Sequence, residues 1–230
     1  MKKNKLKTFI IYKRTIIITL FVTLSVLFIS FVPRIIKATS PKAQYTVVID
    51  AGHGGIDGGS VGKNGTIEAE LNLEYAKELK QMLTDFGFNV VMTRESESGL
   101  YSPLASNKKK DDMKKRKEIV EKSNADFVIS IHMNSFSSRS HGAQVFYGKD
   151  DEPSKKLAQD IQNYFIKNLP NAKKEIKVGD YYILNAIKAP SVLIECGYLS
   201  NQKEEELLND EDYKKEVCYN ILLGVLNYLD

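Results

Sequence analysis

The alternation of apolar, strand-like runs with longer helical stretches is the feature that most constrains the fold of this 230-residue chain. Five runs are continuously apolar, which is typical of central strands covered on both faces; they lie at 45–51, 89–94, 126–132, 142–147 and 191–197. Helical stretches follow at 68–86, 113–124, 154–169 and 212–229. This order predicts an α/β fold, a single domain over 45–230 with a twisted, mostly parallel sheet flanked by helices.

A long polar connection, 95–112, interrupts this rhythm and contains a run of lysines. Loops of this length are usually functional rims or disordered segments. The lysine run favours a solvated face over a binding patch.

The first 44 residues differ in composition from the rest of the chain. A basic start, 1–14, precedes an uncharged run of apolar and hydroxyl residues, 15–32, and then a linker, 33–44. The run is as long as a signal-peptide core or a short membrane span, and the bases before it place the N-terminus in the cytoplasm. Because Pro41 would follow a cut after Ser40, we expect an uncleaved membrane anchor. The protein is then exported, anchored with its domain outside the cytoplasmic membrane, or secreted if the segment is cleaved.

The net charge of +4 is misleading, because eight Lys or Arg and no acid fall in the first 40 residues. That leaves 25 of the 33 bases against 29 acids, so the domain is mildly acidic and gives no reason to expect a nucleic-acid partner. The two cysteines, Cys196 and Cys218, fit small buried hydrophobic residues better than a disulfide, and they give no cysteine zinc site.

The stretch DAGHGG (50–55) sets a histidine among glycines directly after the first apolar run. Since its neighbours lack side chains, the His53 ring is presented to a group that comes close to the backbone. Phosphate binding fails in detail, because Asp57 stands where a dinucleotide fingerprint needs glycine and no Gly-Lys-Ser/Thr follows.

Three chemically capable side chains follow or end predicted strands: His53, His132 and Glu195. Open α/β sheets bind ligands at the carboxyl ends of their strands, and Glu68 begins the first helix, from where it can fold back beside His53. Two imidazoles and one carboxylate leave a fourth tetrahedral position for water, as catalytic zinc requires. The sequence therefore predicts a Zn²⁺ site at His53, Glu68 and His132. The third histidine, His141, is expected in an exposed loop and is left out.

Each of these residues also has a structural alternative. Glu68 alone is explained as an acid favoured by the helix dipole, and His132 alone as a satisfied core histidine. Glu195 ends the most apolar run, and a buried carboxylate is costly unless it has a partner or a function. It is either a general base beside the metal or a structural ion-pair partner, for which Arg94 and Arg116 are the candidates.

Five ordered motifs resemble zinc-dependent N-acetylmuramoyl-L-alanine amidases of the Amidase_3 family, over about residues 45–229: VVIDAGHGG.D.G, G.IE.ELNL, ADFVISIHMNS, GAQVFY and PSVLIECGYLSN. The resemblance implies zinc ligands at His53, Glu68 and His132, a catalytic glutamate at Glu195, and a twisted, mostly parallel sheet flanked by helices. Family members often carry a lysine after the ligand glutamate, where this chain has Ala69.

The resemblance implies hydrolysis of the amide between N-acetylmuramic acid and L-alanine in peptidoglycan, with Glu195 moving the proton. The 95–112 segment, the short chain and the bare N-terminal anchor look like the sporulation branch, which strips peptides from muramic acid so that spore cortex acquires muramic δ-lactam. Targeting is then expected from the anchor, the cleft or an accessory, activating protein. Two alternatives remain: another zinc peptidase acting on cell-wall peptides, and a non-catalytic peptidoglycan-binding module, which would not need Glu195.

Overall fold

The computed structural model describes residues 19–23 and 45–230, which belong to two separate compact units. Residues 19–23 are helical and exposed. The rest of the predicted anchor (15–32), the basic start (1–14) and the linker (33–44) lie outside the described residues. Within the described ranges, no helix combines the length and the apolar character needed to cross a bilayer.

Residues 45–230 form a six-stranded sheet with helices on both faces. The strands are β1 (Thr46–Ala51), β2 (Asn89–Met92), β3 (Phe127–Asn134), β4 (Gln144–Tyr147), β5 (Lys177–Val178) and β6 (Ser191–Tyr198). The helices are α1 (Glu68–Asp85), α2 (Lys108–Ser123), α3 (Glu152–Asn168), α4 (Tyr182–Asn185), α5 (Gln202–Leu208) and α6 (Glu211–Leu229). The sheet order is β2-β1-β3-β6-β4-β5, in which β1, β2, β3 and β6 run parallel, β4 is antiparallel to β6, and β5 is parallel to β4. The predicted α/β fold with a mostly parallel sheet is confirmed.

The central strands are apolar throughout because both of their faces are covered. Along β1, Val47 and Ile49 join the large core formed with α1, α3 and α6, whereas Val48 packs with Val120 of α2 on the opposite face. Successive strand residues point to opposite faces, so a strand buried on both sides needs apolar residues at every position. Cys196 and Cys218 are both buried and unpaired, as predicted.

The start of α2 differs from the sequence prediction. The helix begins at Lys108 rather than at residue 113, because the Asn107 side chain caps it by accepting a hydrogen bond from the Lys110 backbone N–H at 2.9 Å. The lysine run is therefore helical, and the predicted polar connection over 95–112 is wrong in its last five residues. The sequence also missed β5, α4 and α5, which are too short to show a period.

The strand ends near the predicted site are also longer than expected. β3 continues to Asn134 and β6 to Tyr198, so His132 and Glu195 lie inside strands, close to their carboxyl ends. The register pairs His132 with Glu195 and then shifts before the pair of Asn134 with Tyr198. Such irregularities are common beside active sites, where they redirect side chains.

Candidate metal centre

The glycine-rich loop after β1 brings two histidines close together. His53 itself has a left-handed backbone, with φ of +60°, which is uncommon for a residue other than glycine. A Cβ on Gly52 would lie 2.2 Å from the ring of His132, so only glycine leaves room for that ring. The centroids of the two imidazoles lie 5.0 Å apart, with the rings nearly perpendicular. The loop therefore serves to let His132 approach the backbone that carries His53.

Glu68, the first residue of α1, completes this cluster. Its Oε1 lies 3.1 Å from Nε2 of His53 and 3.0 Å from Nδ1 of His132, while Oε2 accepts a hydrogen bond from the Ser60 N–H at 2.8 Å. Burial opposes the charged form, but hydrogen bonds and charge from His132 and His53 outweigh it and hold the pKa of Glu68 well below its ordinary value. Burial likewise opposes protonation of His53, whose pKa is nevertheless raised by Glu68 and Asp57.

These three side chains offer a suitable set of metal donors. The ligand atoms of His53, Glu68 and His132 all lie within 4.8 Å of one another, and two imidazole nitrogens with one carboxylate oxygen suit zinc. His141, by contrast, is exposed, with its Nδ1 2.9 Å from the carbonyl oxygen of Arg139, away from this cluster. The residues present therefore fit a metal ion with an open coordination position.

Glu195 lies beside the cluster, on the strand next to His132. Its side chain is buried, and within residues 45–230 its Oε2 has no hydrogen-bond partner. Burial raises the pKa of Glu195 to about 7, with Glu68 raising it further and His132 opposing the shift. The carboxyl can therefore change its protonation state near neutral pH.

The predicted alternative, an ion pair of Glu195 with Arg94 or Arg116, is wrong. Arg116 is 1% exposed and donates to Oδ1 of Asp50 and to Oδ2 of Asp112, both at 2.6 Å. Arg116 also donates to the carbonyl oxygen of His53 and thereby fixes the residue whose backbone is left-handed. Burial opposes ionisation of Asp50, but the charge of Arg116 lowers the pKa of Asp50 to about 2.

Arg94 likewise binds the backbone around the site rather than a carboxylate. It donates to the carbonyl oxygens of Ala51 (2.9 Å), Gly52 (2.8 Å) and Ala69 (2.7 Å). Ala69 is buried. At the position where family members often carry a lysine, this chain therefore has a small buried residue whose carbonyl is fixed by Arg94.

Two adjacent glutamates of α5, which the sequence did not single out, hold the loops around the cluster. Glu205 is fully buried and accepts hydrogen bonds from the N–H groups of Asn64 (2.9 Å) and Thr66 (3.2 Å), in the loop that leads to Glu68. Glu204 accepts from the N–H of Gly142 at 2.7 Å. The partners are far away in the sequence, so no local pattern could have identified this role.

A cleft of about 500 Å³ opens over His53 and His132. Residues of its wall that the sequence did not predict include Tyr101, Lys109, Met113, Tyr181 and Tyr182. The wall also contains Asp57, whose Oδ1 lies 3.0 Å from Nδ1 of His53, close but not aligned for a hydrogen bond, and whose Oδ2 lies 3.2 Å from Nζ of Lys109. The cleft gives a substrate direct access to the two imidazoles.

An α/β fold with a polar cluster, a buried glutamate and a cleft at the carboxyl ends of its strands has the features of an enzyme. The family model described as N-acetylmuramoyl-L-alanine amidase (Amidase_3) matches residues 47–227, and the chain belongs to this family.

Characterised relatives and solved structures agree with this assignment. The chain is 35% identical over 193 residues to the germination-specific N-acetylmuramoyl-L-alanine amidase of Bacillus subtilis (strain 168), covering 82% of this chain and 81% of that protein. It is 39% identical, with a TM-score of 0.77, to the CwlD amidase of Clostridioides difficile, solved in complex with the GerS lipoprotein and covering 81% of this chain and 98% of that one. The catalytic domain of CwlV, an N-acetylmuramoyl-L-alanine amidase from Bacillus (Paenibacillus) polymyxa var. colistinus, gives 34% identity and a TM-score of 0.72 over 81% of this chain and 99% of that one. The predicted family and enzyme class are confirmed.

Proposed function

We propose that this amidase is zinc-dependent, with His53, Glu68 and His132 as ligands and Glu195 as the proton-transfer residue, and that it cleaves the bond between N-acetylmuramic acid and L-alanine. The observation that carries the proposal is the convergence of three donor atoms within 4.8 Å beside the buried carboxyl of Glu195, whose Oε2 has no hydrogen-bond partner among residues 45–230. A structural ion pair does not account for Glu195, because both candidate arginines bind other groups.

The residues divide the chemistry between them. Zinc, when bound, polarises the scissile carbonyl and lowers the pKa of a water from 15.7 to about 7. Glu195, the buried carboxyl beside the cluster, would accept a proton from the attacking water as the C–O bond forms. It returns that proton to the nitrogen as the C–N bond breaks, which gives a free amino terminus on L-alanine and a carboxylic acid on the muramic acid; the acid then loses the second proton of the water to solvent and becomes a carboxylate. Glu68, with its lowered pKa, remains ionised and available as a ligand.

We place this activity in the spore cortex, outside the cytoplasmic membrane. One similar protein supports the placement, the germination-specific amidase of Bacillus subtilis. Stripping peptides from muramic acid would then precede formation of muramic δ-lactam. The basic start and the apolar run 15–32 would export the domain and anchor it in the membrane. Because CwlD was solved in complex with the GerS lipoprotein, an accessory protein is proposed for this chain as well.

Substitution of Glu195 by glutamine tests the proposed mechanism. Glutamine keeps the shape but cannot accept a proton, so the rate should fall about 10²–10⁴-fold while zinc content and melting temperature stay close to wild type. Glu206→Gln, an exposed change on α5, is the matched control and should retain full activity. His53→Ala should lose both zinc and activity, because it removes a donor.

The assay follows new amino termini in digested peptidoglycan by mass spectrometry and zinc by elemental analysis of the same preparation. Free L-alanine amino termini identify the amidase, whereas cuts between other residues identify a peptidase. A folded, zinc-loaded Glu195→Gln variant within a few-fold of wild-type activity would falsify the role of Glu195. Binding of peptidoglycan by the wild type without any product would show a binding module instead.

A further inference from the structure

A second depression adjoins the active-site cleft and is lined by lysines of α2. It has a volume of about 400 Å³, and we call it the basic groove; its lining residues are Asn107, Lys109, Lys110, Met113, Lys114 and Tyr182. Lys109, Met113 and Tyr182 also line the cleft over the two histidines, so the groove continues that cleft. A substrate that reaches the metal centre can therefore extend into it.

The lysines stand at the unfavourable end of their helix. Lys108, Lys109 and Lys110 are the first three residues of α2, where the helix dipole is positive and acidic residues are preferred. Lys108 lies over the Tyr101 ring and Lys109 pairs with Asp57, whereas Lys110 has no ion pair within residues 45–230. Local rules broken without a structural gain tend to mark functional positions. The basic start of α2 also contrasts with the charge of the rest of the domain, because residues 41–230 carry more acids than bases.

The acids at this end of α2 do not neutralise the groove. Asp111 accepts from the N–H of Ser102 at 2.7 Å and pairs with Lys115, while Asp112 pairs with the buried Arg116. The acids thus face the 99–107 loop and the protein interior. Lys109 pairs with Asp57 of the cleft at 3.2 Å, so the groove charges left for a ligand are those of Lys110 and Lys114.

The lysines themselves have weak partners or none. Lys110 is exposed and forms no ion pair within residues 45–230, and Lys114, also exposed, has only Glu118, at 3.8 Å. Exposed pairs of this kind contribute little, so both ammonium groups are available to a ligand. Met113 and Tyr182 add apolar surface between them and the cleft.

We propose that the basic groove is a subsite for free carboxylates of the peptide part of the substrate, with Lys110 and Lys114 as the binding residues; this rests on the amidase function proposed above. The chemistry of the reaction fixes the ligand class. A peptide joined to the sugar through its amino terminus keeps its carboxyl terminus free, and this end leads away from the scissile amide. A groove that continues the cleft and carries positive charge suits that anionic end.

The test compares two substrates and three forms of the full-length protein. The substrates are soluble peptidoglycan fragments released by a muramidase, used as such or after their carboxylates have been converted to amides with carbodiimide and ammonia. The proteins are the wild type, the double variant Lys110→Met/Lys114→Met, and Lys122→Met, which removes one charge from the exposed last turn of α2. The rate at which L-alanine amino termini are released gives kcat and KM for each combination of protein and substrate.

For the untreated fragments, the double variant should raise KM about 3–10-fold with kcat within about twofold of wild type, since exposed charge pairs contribute modestly. The wild type should show a similar rise in KM on the amidated fragments, and the double variant should not distinguish the two substrates. Lys122→Met should behave as the wild type.

Other results overturn the subsite. An unchanged KM in the double variant would show that these lysines do not bind the peptide. The same conclusion would follow if the double variant preferred untreated over amidated fragments as strongly as the wild type does. Inhibition by inorganic phosphate together with indifference to amidation would assign the groove to phosphate instead. If the wild type releases no L-alanine termini from either substrate, the proposed function fails, which is a separate and recognisable outcome.

Discussion

Replacing Arg116 with methionine should destabilise the domain by about 3 kcal/mol at pH 7. Removing one partner of a buried ion pair typically costs about 3–5 kcal/mol, because the other charge stays in the interior. Two charges are stranded here: Asp112, which is 8% exposed and still accepts from the Leu100 N–H, and Asp50, which is 2% exposed. Asp50 keeps hydrogen bonds from Ser130 (2.6 Å) and Thr93 (2.7 Å), which places the loss at the lower end of that range.

The pH dependence of the stability loss shows whether the stranded charge of Asp50 causes it. In the wild type the pKa of Asp50 is about 2, below its ordinary value of 3.8, so its contribution to stability is present above about pH 4 and is lost as the pH falls towards 2. Without Arg116, burial alone should raise the pKa of Asp50 above that of the unfolded chain. Protonation then favours the folded state, so the stability difference between variant and wild type should shrink as the pH falls from 7 to 4.

Urea unfolding of the full-length protein, followed by circular dichroism between pH 4 and 7, measures both quantities. Lys117→Met is the matched control, since Lys117 lies on the same helix and its contact with Glu121 is a 3.6 Å surface pair; it should change stability by less than about 0.5 kcal/mol. Adding Asp50→Asn to Arg116→Met should recover part of the loss at pH 7, because an amide carries no charge. A loss below about 1 kcal/mol, or one that does not vary with pH, would refute the reasoning.

Three further changes test other parts of the structure. Glu205→Gln should lower the stability of the domain by about 1–3 kcal/mol and weaken zinc binding, because backbone N–H groups of the loop before Glu68 lose a charged acceptor. Urea unfolding measures the stability and competition with a chelator measures the zinc affinity, each compared with Glu206→Gln. Equal zinc affinity in the two variants would contradict this role of Glu205. Gly52→Ala should abolish zinc binding while helix content is retained, since the added Cβ would lie 2.2 Å from the His132 ring; normal zinc content would disprove the packing argument. Gly224→Ala should lower stability by about 1–3 kcal/mol, because its Cβ would lie 2.5 Å from the backbone of α3, and an unchanged melting temperature would show that the helices separate easily.

The fold could be predicted from the sequence because the pattern of apolar residues that indicates it extends over whole strands and helices. Strands buried on both faces must be apolar at every position, as β1 and β6 are, and helices between them leave little choice of architecture. The meeting of His53, His132 and Glu195 was predictable for a related reason, since parallel neighbouring strands bring their carboxyl ends together. Their catalytic and metal-binding roles stay predictions.

The supporting contacts could not be predicted, because they join distant parts of the chain. Arg116 reaches Asp50 across 66 positions, and Glu205 reaches Asn64 across 141. A basic residue on an amphipathic helix and an acid on a polar helix have the same local pattern whether they face solvent or a loop. The lysine run was misplaced for a similar reason, since only the cap at Asn107 marks it as helical.

The position of β6 has a consequence for how the chain acquires its native state. Although β6 is the last strand to be synthesised, it lies in the interior of the sheet, between β3 and β4. Until it inserts, β3 has an open edge and β4 has no neighbour to join it to the parallel strands, so a chain that ends before Tyr198 has an incomplete sheet. Pairing over such long sequence separations slows folding. His132 and Glu195 are brought together only by the pairing of β3 with β6, so a chain without β6 does not assemble this site.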